Sequence, residues 1–185
     1  YSVRLKYAGE TLTQPIEVRA HPEVTASSDD LKSQFRLLSD LRDRIEETHD
    51  AVGRIRDVKA QVATIGERAE KLGKGTTLKD RGKTLSDKLT EIEKKLVNPD
   101  LKSNQDVLNF PPALDHQLIG IAVAVSSADS KPTDSSGTYY KEVAGKLAGI
   151  LSELDGVLGK DLADFNAEVR REEIPPVVVV PKKKA

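Results

Sequence analysis

The first nineteen residues alternate between apolar and polar. Tyr1, Val3, Leu5 and Tyr7 fall on one side and Ser2, Arg4 and Lys6 on the other; the alternation resumes after Ala8-Gly9-Glu10 with Leu12, Ile16 and Val18. Period-two alternation across a short glycine-containing break predicts an antiparallel hairpin with one buried face. Pro15 has no N–H to give a ladder, so the second strand belongs at an edge or bends there. A lone hairpin is marginal in water and calls for a further strand or a layer to rest on.

The pattern then changes period. Ser27-Ser28-Asp29-Asp30 reads as a helix start, with a serine cap and carboxylates at the positive end of the helix dipole. Apolar residues follow at Leu31, Phe35, Leu38, Leu41, Ile45, Val52, Ile55, Val58, Val62, Ile65, Ala69 and Leu72, with His49 in the one gap. Their mean spacing is close to that of a helix laid along a partner. The predicted helix is about 45 residues long, hence roughly 67 Å. Gly73-Lys74-Gly75 closes it. A second helix is expected from about Thr77 to Val97 on Leu78, Leu85, Leu89, Ile92 and Leu96, stopped by Asn98-Pro99.

A polar loop leads to Asn109-Phe110-Pro111-Pro112 and a third helix, Ala113 to about Ala128, apolar around most of its circumference and so expected to be surrounded by protein. Ser130 to Gly137 reads as a loop, and a fourth helix as about Thr138 to Arg171. Pro175 and Pro176 forbid further helix, while Val177 to Val180 favour an extended strand. The fold class is therefore mainly α: an elongated antiparallel bundle of four helices, up-down-up-down, with an N-terminal hairpin. The expected division is a hairpin over 1–22, a bundle over 23–173, and an extended strand with a basic tail over 174–185. Four alternating helices return the chain to its starting end, so the C-terminal strand is expected to lie near the hairpin and to join it.

Composition narrows the function. Of 185 residues, 29 are Lys or Arg and 30 are Asp or Glu, a net charge of -1, which gives no reason to expect a nucleic-acid partner. Lys182, Lys183 and Lys184 form one short basic run, read as a solvated tail. Without cysteine there is neither a disulfide nor a thiolate metal site. The longest apolar run, Leu118 to Val125 with Gly120 inside it, is too short to span a bilayer, which needs about 20 residues. Because the chain starts at Tyr1, inside a strand pattern, an upstream portion is expected.

Candidate chemistry is sparse. His21, His49 and His116 form no close pair of the kind that aims ligands from one helix face, and His49 is expected to be a partly buried seam residue. His116, beside Asp115 and Gln117, is expected on an exposed shoulder of the third helix. The paired carboxylates Glu46 and Glu47, Glu91 and Glu93, and Glu172 and Glu173 alternate with cations, as on solvated helix faces. Gly73-Lys74-Gly75-Thr76-Thr77 lacks the upstream glycine of a phosphate loop and follows a helix rather than a strand. Gly145 and Gly149, with Gly156 and Gly159, are read as tight internal packing rather than a dimer seam. No residue is assigned to catalysis, cofactor or metal, and no cofactor is expected.

Two stretches resemble a known kind of protein. Tyr1-Ser2-Val3-Arg4-Leu5 with Gly9-Glu10-Thr11-Leu12-Thr13-Gln14-Pro15-Ile16-Glu17-Val18 resembles the closing strands of an immunoglobulin-like domain. Domains of that kind follow large β-propellers in bacterial secreted sortilin-like or BNR-repeat glycosyl hydrolase-type proteins. Asp30 to Phe35, Asp106 to Pro112 with Leu114 and Gln117-Leu118, Ser127 to Thr133, and Ile174-Pro175 resemble the helical region that comes next. The resemblance implies a secreted parent whose catalytic or peptide-binding propeller lies outside this chain. Thr133 to Tyr140 does not have the spacing or the tryptophan of an Asp-box. The expected function is a non-catalytic structural or interaction module, acting as spacer, cap or assembly surface. Its expected partners are upstream β domains, a second copy or another protein. The alternatives are a subunit of an extracellular filament completed by strand exchange, or an accessory domain of a glycoside hydrolase.

Overall fold

Ser27 opens the longest element. Its hydroxyl accepts the Asp30 N–H at 3.1 Å while the Asp30 carboxylate accepts the Ser27 N–H at 3.0 Å, so two end donors are satisfied reciprocally. The Ser27 hydroxyl, donating to the same carboxylate, and this N–H hold the Asp30 carboxyl below its usual range. From there α1 runs without a break over Ser28–Lys71, 44 residues and about 66 Å. It ends where Gly73 takes a φ of 69° and donates its N–H to Glu70 O.

This structure, a computed structural model, describes residues 1–19, 21–73, 76–99, 101, 103, 106 and 109–174. Strands β1 (Ser2–Tyr7) and β2 (Glu10–Pro15) pair antiparallel, with Leu5 opposite Leu12 and Tyr7 opposite Glu10. The turn places Ala8 and Gly9 at positive φ. After α1 come α2 (Thr76–Leu96), α3 (Leu114–Ser126) and α4 (Asp134–Gly156), the last continuing through a π-helical segment, Val157–Asp161, into α5 (Leu162–Arg171). As the sequence pattern implies, the chain is a mainly α bundle with an N-terminal hairpin.

The directions of the helices differ from the expected alternation. Glu93 of α2 meets Arg56 of α1, and Lys79 of α2 meets Glu70 further along it, so α2 runs back along the C-terminal half of α1. Gln34, near the start of α1, bonds to Val125 O and Ala128 O at the end of α3, so α3 runs the same way and covers the N-terminal half. The rod made by α4 and α5 then follows α1 in parallel: Arg44 bonds Tyr140, and Arg54 lies 3.8 Å from Asp155. It is antiparallel to α2, as three pairings taken in order show: Lys95 with Glu153, Lys88 with Asp161, and Arg81 with Glu168. The order is thus up, down, down, up. Two short helices in tandem form the middle rod of a three-rod bundle, and Asn98 Nδ2 donates across the break to Pro111 O. With three rods the chain enters at one pole and α5 ends at the other. The C-terminal strand expected to join the hairpin lies, from Pro175 onward, outside the described residues; Ile174 before it is buried at the pole remote from the start of α1.

Heptads hold the rods together. On α1 the buried positions Gln34, Leu41, Thr48, Ile55, Val62 and Ala69 are each seven apart. Thr48, rather than the expected His49, fills the gap; its hydroxyl donates to Arg44 O at 2.8 Å, which satisfies it inside the core. Gln34 likewise displaces Phe35, whose side chain is 72% exposed, because its amide reaches two carbonyls that the end of α3 leaves without helical donors. On α2 the core positions are Leu78, Leu85 and Ile92 with Gly82, Leu89 and Leu96. Along the third rod Leu147 and Leu154 are seven apart, Leu162 is eight further on, and Val169 seven beyond that. The π-helical segment takes up the extra residue between Leu154 and Leu162 and keeps the apolar side inward.

Four more expectations are corrected. Helix α4 starts at Asp134, within the expected loop, because the Thr133 hydroxyl accepts the Ser136 N–H at 3.1 Å. Helix α3 is not surrounded: it rests on α1 and α4 and turns Ile119 and Val123 outward. Gly145, Gly149, Gly156 and Gly159 are on the outer face, with nothing within 4 Å of where a Cβ would stand. The close approach occurs instead at Gly82, where a Cβ would be 3.0 Å from Val62 Cγ1 and 3.4 Å from Phe165 Cε2. The hairpin, finally, buries no face. Every residue of both strands is exposed, and among the described residues the hairpin packs on no helix.

Gly82 and Gly149 are expected to respond in opposite directions. Gly82→Val should destabilise the bundle by about 1–3 kcal/mol through overpacking. Gly149→Ala, with open space around it, should stabilise it by about 0.5–1 kcal/mol through helix propensity. Urea denaturation followed by circular dichroism measures both, and equal effects at the two positions would contradict the packing.

Candidate functional site

The elements set three kinds of surface against solvent: charged clamps, open grooves and the hairpin. The histidines do not converge. His21 is exposed in the linker, where its Nδ1 accepts the Glu23 N–H at 3.3 Å. His49 is exposed on α1, off the seam. His116 on α3 is half-buried rather than on an exposed shoulder, with Nδ1 2.9 Å from Oδ1 of the buried Asp115. That aspartate also accepts the His116 backbone N–H at 2.7 Å, so it orders the first turn of α3, where Ala113 offers no side-chain cap. Among the described residues no three His, Asp or Glu side chains are placed to hold a metal ion, and no helix is long and apolar enough to cross a membrane.

The carboxylates pair with cations rather than with one another. Glu93 is buried between α1 and α2, where Oε1 accepts from Arg56 Nε at 2.7 Å and Oε2 from Lys59 Nζ at 3.1 Å. Burial pushes its carboxyl up, but the Arg56 and Lys59 hydrogen bonds and charges outweigh it and hold the group below the usual glutamate range. Glu168, also buried, sits between Arg171 of α5 and Arg81 of α2. Glu93, held below the usual glutamate range, makes a poor proton donor near neutral pH; its bonds to α1, and the contact of Glu168 with Arg81, help to fix the register of neighbouring rods. The expectation of freely solvated faces misses Glu93, since a glutamate one position from a seam isoleucine reads as surface, and Glu168 beside Val169 gives no clearer signal.

Grooves follow the junctions between rods. One of about 600 Å³ lies where the middle rod is broken, floored by Pro111, Pro112, Leu114 and Ile150 and edged by Lys95 and Glu153. A second, about 530 Å³, runs between α1 and α4 and is lined by Asp40, Asp43, Glu46 and Glu47, with Arg44 and Tyr140. In both, the cations are already engaged: Lys95 with Glu153 at 2.7 Å, Arg44 with Glu47 at 2.7 Å.

The hairpin differs from either. Its register puts Val3, Leu5, Tyr7 and Leu12 on one face, and the Ile16 N–H extends the ladder to Tyr1 O at 3.0 Å. Leu5 is 60% and Leu12 62% exposed. Side chains of this size each lose about 1.5–3 kcal/mol of burial energy by remaining in water. Gln14 and Glu10 share that face, opposite Val3 and Tyr7; exposed apolar side chains gathered on one face make the hairpin the candidate site of this chain.

The Glu93 clamp carries a pH dependence of known sign. Its carboxyl is held lower in the folded than in the unfolded chain, so its stabilisation is complete above the usual glutamate range and is lost as pH falls through the depressed folded value. Urea midpoints should fall on acidification through that window, and Glu93→Gln should be less stable near neutral pH with a flatter acid limb. An unchanged acid limb in Glu93→Gln would place the dependence elsewhere. Comparison with protein-family models, with curated proteins and with solved structures finds no match to this chain.

Proposed function

We propose that this chain is a non-catalytic structural module, a stiff spacer that carries a β docking element at one pole and continues from the other. The observation that carries the reading is the odd number of rods, which makes the chain enter and leave a bundle about 60 Å apart. Stiffness has local support in an unbroken 44-residue α1 clamped along its length by rods on two sides. The uncovered hairpin supplies the docking element. The resemblance to regions that follow immunoglobulin-like domains in secreted propeller proteins supports a β domain as its neighbour and a place outside the cell. Any propeller activity would belong to that other part of the parent.

Spacing is measurable directly, because the chain has no cysteine to interfere with labels. Spin labels at Ser33→Cys and Arg170→Cys should give one narrow distance near about 50 Å. Small-angle scattering should give a radius of gyration well above the about 16 Å of a compact domain of this length. A short or broad distance distribution, or a near-spherical particle, would refute the spacer.

A further inference from the structure

The hairpin is an unfinished β layer. Two strands leave two edges, and on the β2 side Pro15 has no N–H to offer. The β1 edge, which has no proline, is therefore the better able of the two to accept another strand. A strand added there continues the apolar face of Val3, Leu5 and Leu12, so it should be uncharged and β-branched. The sequence contains a single run of four β-branched residues, Val177 to Val180, held between Pro176 and Pro181. Those residues lie outside the described part of the chain, but the point from which they depart does not: Ile174 is buried at the pole where α5 ends, its N–H donating to Val169 O at 3.0 Å.

Geometry decides whose hairpin they can meet. Ile174 lies about 60 Å along the rod from Ser28, where the hairpin side of the chain joins. Six extended residues from Ile174 to Val180 reach at most about 21 Å. The linker from Ile16 to Ser27 is itself shortened by a turn in which the Val24 N–H donates to His21 O at 2.9 Å. To meet its own valine run, the hairpin would have to be drawn back along the rod on a taut linker. The hairpin of a second copy placed end to end meets that run directly.

We propose that Val177 to Val180 of one copy adds as a third strand to the β1 edge of the next copy's hairpin, linking rods head to tail. Main-chain hydrogen bonds join the copies and the valines extend the apolar face, as in other cases of strand addition. The contact joins unlike surfaces, so each copy still offers one of each. Copies set end to end pass the contact on as an open chain, and the contact closes into a ring only where the rotation between copies brings the two ends together. The proposal goes beyond the spacer reading and uses from it only the separation of the poles.

Sedimentation velocity of the full chain over a wide range of protein concentration tests it. The expected result is mass rising with concentration through successive multiples of 20.2 kDa. Val178→Pro, which removes a ladder donor outside the bundle, should return the chain to monomer with its helical circular dichroism unchanged. A free peptide of residues 174–181 should shorten the chains of the unsubstituted protein. A monomer at every concentration would overturn the proposal, and so would association that persists in Val178→Pro, which would mean that hairpin faces or helix faces pair instead. Failure of the spacer reading is seen separately, in the shape of the Val178→Pro monomer.

Discussion

One seven-residue repeat on α1 governs the rest of the molecule. Gln34, Leu41, Thr48, Ile55, Val62 and Ala69 form a stripe longer than either α2 or α3 can cover, so two helices in succession are needed on that side. Once the middle rod is divided, the third must travel the full length of α1 to cover both halves, and the continuous rod from Asp134 to Arg171 does so. Antiparallel order, the break near Pro99 and the opposite poles all follow from matching one long stripe with shorter pieces.

Polar side chains enter this core only where backbone or charge demands them. Gln34 replaces the donors that the end of α3 lacks, Thr48 returns its hydroxyl to its own helix, and Glu93 and Glu168 draw cations from facing rods. Exposed pairs such as Lys94 with Glu91 contribute little individually. The buried carboxylates matter more for register: a slide of one helical turn would part Glu93 from one of its two cations and Glu168 from Arg81, while Arg171, on the same helix, would stay with Glu168. Clamps of this kind make a rod that resists sliding, the property a spacer needs.

Much of this was legible along the chain. The caps at Ser27 and Gly73, the lengths of α1 and α2 and the seam of α2 follow from patterns that depend on a few neighbouring residues. Direction was not legible, because the sequence between α2 and α3 carries no periodic pattern, and nothing local in such a stretch says whether the chain reverses. Thr48 and Gln34 were missed because a polarity count prefers Phe35 and fills the gap with His49, whereas the strict interval of seven selects the polar neighbour. The eight-residue step from Leu154 to Leu162 was present in the pattern and announces the π-helical segment, but only against a seven-residue frame. At the hairpin the alternation correctly marks an apolar face; alternation cannot say what covers it. Gly82 gives no signal either, for a glycine in a helix reads the same whether a partner presses on it or not.

The bundle and the hairpin thus stand in opposite physical conditions. Along the rods most large apolar side chains are buried, and the buried carboxylates Glu93 and Glu168 are paired with cations. Phe35 is exposed singly, as is usual on proteins, while Ile119 and Val123, four apart on α3, share one small outward patch. The hairpin instead gathers Tyr1, Val3, Leu5, Tyr7, Leu12 and Ile16 on one face of a two-stranded sheet that is marginal without a further layer. Its stability and its binding are consequently the same question: whatever strand or sheet covers that face supplies the burial that keeps the two strands together. On the proposed spacer reading a β structure meets the chain at that pole, and the length of α1 sets how far from the other pole it is held.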